Sequence, residues 1–446
     1  MKNAVSGLGL APDAAMVTFP IDMFLPGSDL RALEARKREF YNGLTRWKSD
    51  FAADGGNGSK LLSVEGASYE DALTRANNLL LTNLWGDGLP LWPATRERVD
   101  WILRGAALPR AHALGKFPPR GGVTTVETCA IALAMAGGRP EYLPVLIAAV
   151  EAALDPKSNL EQLQATSGGP FPVILVNGPI AKDIRLNSGF GCLGPDPQQP
   201  AGASIGRALR LLQQNVGGAV PGVGTMANFG AMRYTNVVFA EDEEGLPDGW
   251  TPHGTARHGF DRGTNSVSLM FANGVTNIRR RSAKKETPEE DIVQGLHRIA
   301  DYMRTPNLPA LCGWVTGTPG VVIIPRIVAH MMAGLGWTPK SVRDFLWEHS
   351  RIPLSDLKRA GAPSWFELDA NPATRASIGM DPWPISEKPD NIMLIVAGGS
   401  HPTNTYWLQA FCPYVIGRTI RVPETFDRLL AESDRDLGCA SDECRI

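Results

Sequence analysis

Short apolar segments that end in glycine, asparagine or proline recur along the chain, and they constrain the fold more strongly than any other feature. The clearest are FPVILVNG (171–178), GVVIIP (320–325) and DNIMLIVAGGS (390–400). Each has the length of a buried strand and ends in residues that favour turns. Segments with helical spacing, such as 203–218 and 287–304, separate them. This alternation predicts an α/β fold with a mixed or parallel sheet.

The chain divides by composition into four parts. Its 446 residues exceed one simple core, since a domain averages roughly 150 residues. Helical patterns predict that the beginning of the chain is mostly helical. The predicted parts are a helical N-terminal region (1–112), an α/β core with a glycine-rich loop (113–275), a second α/β part that closes the core (276–430) and a mobile tail with two thiols (431–446).

Charge and hydropathy exclude two classes of partner. The net charge of −2 offers no basic field for nucleic acid. No apolar run reaches the roughly 18 residues that a transmembrane helix needs, so we expect no membrane partner. The first residues lack the pattern of a signal peptide. We therefore expect a cytoplasmic protein with reduced thiols and a small-molecule substrate, and a homo-oligomer is compatible with this composition.

The glycine-rich stretch VNGPIAKDIRLNSGFGCLGP (176–195) is the strongest candidate for a binding site. It follows a predicted buried strand and precedes a helix, which is where ligands bind in open α/β sheets. Its spacing matches neither common nucleotide fingerprint, so the cofactor stays unknown. The candidate substrate-binding residues are Asn177, Gly178, Asn187, Ser188 and, in the following helix, Arg207. A structural loop whose glycines serve turns is the alternative.

Cys192, in the same stretch, has two interpretations. A thiol in a glycine-rich turn near a helix N-terminus can have a lowered pKa and act as a nucleophile. A cysteine can also serve as a small buried hydrophobic residue.

The segment AEDEEGLPDGWTPHGTARHGFDRGTNS (240–266) is the second candidate. Glu241 and Glu243 follow a predicted strand, and His253 and His258 come next. Carboxylates with histidines are the usual groups for general acid–base catalysis. The HxxxxH spacing lies in a stretch too rich in glycine and proline for a regular helix, matches no metal motif, and leads us to predict no metal. A solvated acidic turn is the alternative.

Two other loops carry candidate substrate-binding residues. Arg120 lies beside a glycine turn, and His401 directly follows the predicted strand of 390–400. Because sequence neighbours rarely face each other, Ser400 and His401 do not indicate a catalytic triad.

The chain ends in DLGCASDECRI, which contains Cys439 and Cys444. Two thiols at this spacing can close a disulfide or deliver electrons to a site. Asp442 and Glu443 oppose the thiolate form, because a neighbouring negative charge raises a thiol pKa. A tail with incidental cysteines is the alternative.

Several segments resemble a family of known bacterial proteins. They are PPRGGVTTVETCAIALAMAGGRPEYLPVLIAAVEAALD, VNGPIAKDIRLNSGFGCLGP, ASIGRALRLLQQNVGG, FAEDEEG, VRDFLWEHSRIP and IMLIVAGGS. The chain is similar to uncharacterised α/β proteins associated with the UGSC motif, which contains selenocysteine or cysteine. The resemblance implies thiol redox chemistry and a thiol or redox protein as partner. The chain itself has no UGSC sequence, and the family pattern surrounds position 192 without requiring cysteine there.

Three functions follow from these features. The first is an enzyme that acts on a small polar molecule by thiol-dependent redox or C–S/C–N bond chemistry, with catalytic residues among Cys192, Cys439 and Cys444. Its cavity is formed by the 177–194 loop and the 241–262 segment. The second is a thiol-independent lyase, hydratase or hydrolase that uses the glutamates and histidines. The third is a non-catalytic partner subunit.

Overall fold

The structure is a computed structural model that places most of the chain. It describes residues 27, 29–46, 61–227, 230, 236–279, 287–305, 318–360, 380–400, 403–411 and 414–438. Contacts divide the chain into two compact units, Met1–Gly88 and Leu89–Ile446. Residues 89–112, which the sequence analysis assigned to the N-terminal region, therefore pack with the second unit.

The first unit contributes three helices to the described residues. They are α1 (Arg31–Ala35), α2 (Lys37–Thr45) and α3 (Tyr69–Thr82). The Ser68 hydroxyl caps α3 by accepting a hydrogen bond from the Asp71 N–H at 3.2 Å. This cap satisfies one of the free N–H groups of the first turn.

The described residues of the second unit contain the remaining helices. They are α4 (Arg96–Leu103), α5 (Val126–Met135), α6 (Leu143–Ala153), α7 (Leu160–Ala165), α8 (Ile180–Asp183), α9 (Ala201–Asn215), α10 (His253–His258), α11 (Pro288–Met303), α12 (Arg326–Gly334), α13 (Pro339–His349), α14 (Leu354–Arg359) and α15 (Phe426–Leu437). Capping boxes begin α11 at Thr287 and α13 at Thr338, so local chemistry fixes these two starts. In the described part of the chain, no helix is long and apolar enough to cross a membrane.

The strands form a two-stranded hairpin and one large sheet. The hairpin pairs β1 (Ala113–Phe117) with β2 (Gly122–Thr125). The strands of the large sheet are β3 (Phe171–Asn177), β4 (Val237–Ala240), β5 (Ser266–Ile278), β6 (Gly320–Ile324), β7 (Met393–Val396), β8 (Thr405–Ala410) and β9 (Ile416–Thr419). The apolar segments 171–178, 320–325 and 390–400 contain β3, β6 and β7, respectively.

The large sheet is mixed. Its order is β4-β3-β5-β8-β6-β7, and β9 pairs with the first half of β5. The pairs β3/β4 and β6/β7 are parallel, whereas the remaining pairs are antiparallel. This arrangement confirms the predicted α/β class. The predicted boundary between residues 275 and 276 falls inside β5, which is one continuous strand.

The sheet contains the same pattern twice. In chain order, β3, β4 and β5 form a parallel pair followed by an antiparallel strand beside the first member, and β6, β7 and β8 repeat it. The two halves meet at the β5/β8 pair. The strand order is therefore symmetric about this pair. Reversing it exchanges β4 with β7, β3 with β6 and β5 with β8.

Alternate residues of the strands face two different cores. Val321 and Ile323 of β6 belong to an inner cluster with Phe171 and Leu175 of β3. Val322 and Ile324 instead pack in the cluster that α11, α12 and α13 cover. Because the strands are buried on both faces, they are apolar throughout rather than alternating in polarity.

The sheet curls until its two edges meet. The Asp242 N–H, two residues beyond the end of β4, donates to the Val396 carbonyl at the end of β7 at 2.8 Å. This contact brings the carboxyl ends of both parallel pairs to one corner of the sheet.

Candidate functional site

A cavity of about 940 Å³ lies at the corner where the two parallel pairs end. Its wall comes from the loop after β3, the acidic segment after β4, the turn before β5, the start of α12 and the end of α15. The residues of the wall that matter for chemistry include Gly178, Ser188, Glu241, Glu243, Arg262 and Arg326. The structure thus brings together the two segments that the sequence predicts to form a site.

One asparagine joins two glutamates at this corner. The Asn177 Nδ2 donates to the Glu241 Oε2 at 2.7 Å and to the Glu243 Oε1 at 2.8 Å. The Gly178 N–H adds a bond of 2.7 Å to the same Glu243 oxygen. Asn177 is the last residue of β3, so the strand itself holds the glutamate pair in place.

Glu241 is held from a second direction by α10. The His253 N–H, at the start of that helix, donates to the Glu241 Oε2 at 2.6 Å. Oε2 therefore accepts two hydrogen bonds, whereas Oε1 accepts none from the described residues. Since Glu241 lines the cavity, Oε1 is the oxygen that remains for a ligand.

Burial changes the acidity of Glu241. The side chain is 5 % exposed, and its burial raises the pKa to about 7. The hydrogen bonds from His253 and Asn177 act in the opposite direction, while the charges of Glu243 and Asp242 add to the increase. A carboxyl group with this pKa exchanges its proton at neutral pH.

Asp242 points away from the glutamate pair and fixes the start of α12. The Arg326 Nε and Nη2 donate to its two oxygens, both at 2.7 Å. This pair is strong because both partners are charged and the two bonds are parallel. It occupies the Arg326 guanidinium, which also lines the cavity.

At Gly178 the loop after β3 passes so close to the turn before β5 that only glycine fits. Its φ is +91°, which side chains rarely adopt. A Cβ here would come within 2.7 Å of the Thr264 carbonyl oxygen. The sequence therefore places glycine where the loop after β3 passes the turn before β5.

The histidines predicted for acid–base work lie behind the site. His253 contributes its backbone N–H to Glu241, but neither its ring nor that of His258 lines the cavity. Burial lowers the pKa of His253 to about 3 and that of His258 to about 4. The rings are neutral at pH 7, and the His258 Nε2 lies 2.9 Å from the Ser268 hydroxyl.

The expectation that this stretch forms no regular helix is wrong. Residues 253–258 form α10, and Gly259 ends it with a φ of +71°. Gly259 thus serves as the C-cap of α10 and does not prevent the helix from forming.

Cys192 packs inside the curled sheet rather than at the cavity. It is 5 % exposed and belongs to the inner cluster. Burial raises the pKa of its thiol to about 12, and the charge of Asp242 contributes to the increase. The thiolate is therefore rare at neutral pH, and the environment is that of a buried hydrophobic residue.

The remaining predicted residues have different positions. Asn187 shapes the glycine-rich loop, since its Nδ2 donates to the Phe190 carbonyl and to Asp196, both at 2.8 Å. Arg207 donates to the Pro90 carbonyl at 3.0 Å, and Arg120 donates to the Val223 carbonyl at 2.8 Å. Neither arginine lines the cavity. His401, Cys439 and Cys444 lie outside the described residues.

Arg326 is a cavity residue that no local sequence pattern marks as a candidate. Arg326 lies two residues after Ile324, the last residue of β6 that pairs with β7, and Gly178 lies two residues after Val176, the last residue of β3 that pairs with β4. The rule that ligands bind at the carboxyl ends of parallel strands identifies both positions.

We expect the raised pKa of Glu241 to reduce stability as the pH rises. The folded state holds this proton more tightly than the unfolded state, whose carboxyl has the ordinary value of 4.5. The contribution is therefore full below pH 4.5 and is lost as the pH approaches 7, by roughly 3 kcal/mol. Glu241→Gln should remove this slope from urea unfolding curves measured between pH 4.5 and 7.5.

Glu244→Gln is the matched control, because this side chain is 73 % exposed. Its variant should keep the slope of the wild type. An unchanged slope in Glu241→Gln would contradict the assignment.

Comparisons with protein-family models, curated proteins and solved structures gave no match. The predicted resemblance to UGSC-associated proteins therefore stays a prediction. What the cavity does must be inferred from its own geometry.

Proposed function

We propose that the chain is an enzyme that moves a proton to or from a small polar molecule, with Glu241 as the general acid and base. This corresponds to the lyase, hydratase or hydrolase class. The observation that supports it is the position of Glu241: one oxygen is fixed by Asn177 and the His253 N–H, and the residue lines a cavity of about 940 Å³.

The pKa of Glu241 suits both directions of transfer. A general acid–base group is most effective when its pKa lies near the working pH, and such groups contribute about 10²- to 10⁴-fold to the rate. In a dehydration, Oε1 takes the proton from a substrate C–H while the electron pair forms the new double bond. The hydroxyl on the adjacent carbon leaves with that proton as water, and hydration is the reverse.

An anionic group on the substrate is supported by Arg262. Three of the four cationic side chains that line the cavity, counted over the described residues, are already paired: Lys182 with Glu244, Arg185 with Asp434 and Arg326 with Asp242. Arg262 has no such partner there, and its Nη2 donates one long bond of 3.4 Å to the Trp250 carbonyl. A guanidinium binds a carboxylate through two parallel bonds, so a small carboxylic acid fits this cation.

Glu241→Gln tests the proton transfer directly. We expect α-proton exchange of small hydroxy and keto acids in D₂O, followed by proton NMR, to fall by about 10²- to 10⁴-fold. Wild-type exchange should rise with pH through a transition near 7, since the base form increases there. The control Glu348→Gln, whose side chain is 59 % exposed and lies outside the cavity, should retain the rate, and equal rates in both variants would overturn the proposal.

Arg262→Gln tests the substrate class. Loss of a bidentate charged contact should weaken binding of the exchanging acid by about 10- to 100-fold, as seen by native mass spectrometry or calorimetry. Arg359→Gln is the control, because Arg359 is 75 % exposed and pairs with Asp356 outside the cavity. An unchanged affinity in Arg262→Gln would contradict recognition of an anionic group by this residue.

The thiol-dependent function is a second proposal, and the position of the end of α15 supports it. Leu437, the last residue of α15, lines the cavity, and the Gly438 carbonyl accepts a hydrogen bond from Arg185. Cys439 follows Gly438 in the chain. The last described residue before the two thiols is thus anchored at the cavity rim.

The tail cysteines distinguish the two proposals. For an acid–base enzyme, the double variant Cys439→Ser/Cys444→Ser should keep the exchange rate within about twofold, since no thiol takes part. The rate should also be the same with and without a dithiol reductant. Loss of activity in this variant, with Glu241→Gln still active, would favour the thiol-dependent function and a redox partner.

A further inference from the structure

One aromatic residue of the cavity wall has no place in the proposed proton transfer. Phe190 lies in the glycine-rich loop after β3 and lines the cavity. It is 73 % exposed, more than any other large hydrophobic residue that the structure describes. Single exposed hydrophobic residues are common on protein surfaces, but one that lines a cavity offers its apolar area to a ligand.

The backbone of Phe190 is held in place although the residue is exposed. The Asn187 Nδ2 donates to the Phe190 carbonyl at 2.8 Å, and the Asn187 Oδ1 accepts from the Gly189 N–H at 2.7 Å. The Gly189 carbonyl in turn accepts from the Cys192 N–H at 3.2 Å. These bonds lie on both sides of residue 190. A ligand that contacts this residue therefore does not have to order the loop first, which lowers the cost of binding.

The same loop is bonded to both halves of the sheet beside the proposed proton-transfer group. The Asn187 carbonyl accepts from the N–H of Ala240, the residue before Glu241, at 3.0 Å. The Ser188 carbonyl accepts from the N–H of Gly398, in the loop after β7, at 2.8 Å. The strand ends of both parallel pairs thus fix the segment that carries the aromatic residue.

The cavity is larger than a small hydroxy acid needs. Its volume of about 940 Å³ corresponds to about thirty water molecules at roughly 30 Å³ each. Sites for drug-sized ligands span about 300–1,000 Å³ and combine apolar or aromatic walls with a few polar groups. Glu241 and Arg262 are polar groups of this kind, and Phe190 is an aromatic part of the wall. The cavity therefore has room for an apolar group beside the acid group of a substrate.

Leu437 adds a second exposed apolar residue to the wall. It is the last residue of α15 and lines the cavity. Its carbonyl accepts from the Arg185 Nη1 at 3.3 Å, and Arg185 also pairs with Asp434 of the same helix. The end of the helix is thus held at the wall. Apolar area that a ligand removes from water on such a wall favours binding.

We propose that the substrate carries an aromatic ring beside its acid group, and that Phe190 determines this specificity by packing against the ring. Two aromatic rings attract each other in offset or edge-to-face geometry, beyond the effect of the area they bury. The proposal rests on the proposed function, whose carboxylic acid it narrows to one that carries an aryl group.

Calorimetric titration of the full chain with lactate and with phenyllactate, which differ by one phenyl ring, tests the proposal. We expect the wild type to bind phenyllactate at least about tenfold more tightly. Phe190→Ala should reduce this ratio to within about threefold and leave the affinity for lactate unchanged, because it removes the ring and no charge. Equal affinity of the wild type for the two acids, or binding of neither, would overturn the proposal.

Two further variants connect the effect to the ring of Phe190. Phe190→Tyr keeps an aromatic ring and should keep the ratio of the wild type. Tyr302→Ala is the matched control, because Tyr302 is an exposed aromatic residue of α11 outside the cavity, and it should also keep the ratio. A ratio that falls equally in Tyr302→Ala and Phe190→Ala, or that is lost in Phe190→Tyr, would contradict the role of Phe190.

Glu241→Gln separates this proposal from the proposed function. The variant should lose α-proton exchange and still prefer phenyllactate, since contact with the ring needs no proton transfer. Exchange that survives in Glu241→Gln, with the preference intact, would overturn the proposed function alone. Exchange that depends on Glu241, with no preference for phenyllactate, would overturn the aromatic specificity alone.

Discussion

The contact between the two edges of the curled sheet, made by the Asp242 N–H and the Val396 carbonyl, places every group of the candidate site. Asp242 also binds Arg326 through both side-chain oxygens. Gly245 packs so closely on this pair that a Cβ there would collide with Asp242 and Arg326. The acidic segment is therefore fixed at Asp242, and its neighbours Glu241 and Glu243 both turn towards Asn177.

The two halves of the sheet share a framework but differ in chemistry. The Glu241 N–H donates to the Val176 carbonyl at 3.1 Å, and the Ala397 N–H donates to the Ile324 carbonyl at 3.0 Å. These bonds occupy equivalent positions in the repeated pattern. One half thus presents a glutamate where the other presents Ala397. The glutamate that we propose for proton transfer comes from one half, and the other half supplies Arg326 to hold the acidic segment.

Local patterns in the sequence predict part of this site for a physical reason. Buried strands read as continuous apolar runs, and the residues after them face the same edge of the sheet. Asn177, Gly178, Ser188, Glu241 and Glu243 are found in this way, and all but Asn177, which bonds both glutamates, line the cavity. Arg207 and Arg120 lie near glycine-rich segments in the sequence but away from the cavity in the fold, where backbone carbonyls bind them.

The other features of the site depend on contacts between residues far apart in the chain. Local sequence patterns do not predict such contacts. The partner of Asp242 is 84 positions away in the chain, and its identity follows from the curl of the sheet. Whether Cys192 faces solvent or the inner cluster depends on that same curl. The repeat of the strand pattern is likewise visible only in the strand order.

The shared amide of Asn177 gives the two glutamates different roles. Both carboxyl groups accept from the same Nδ2, so they lie close enough for their charges to interact. A like charge at this distance disfavours the charged form of a carboxyl group. The effect falls on Glu241, which is buried, and burial disfavours its charged form further. The charge of Glu243 then helps to raise the pKa of Glu241. An acidic turn that would otherwise be solvated thereby yields one carboxyl group that can both give and take a proton at neutral pH.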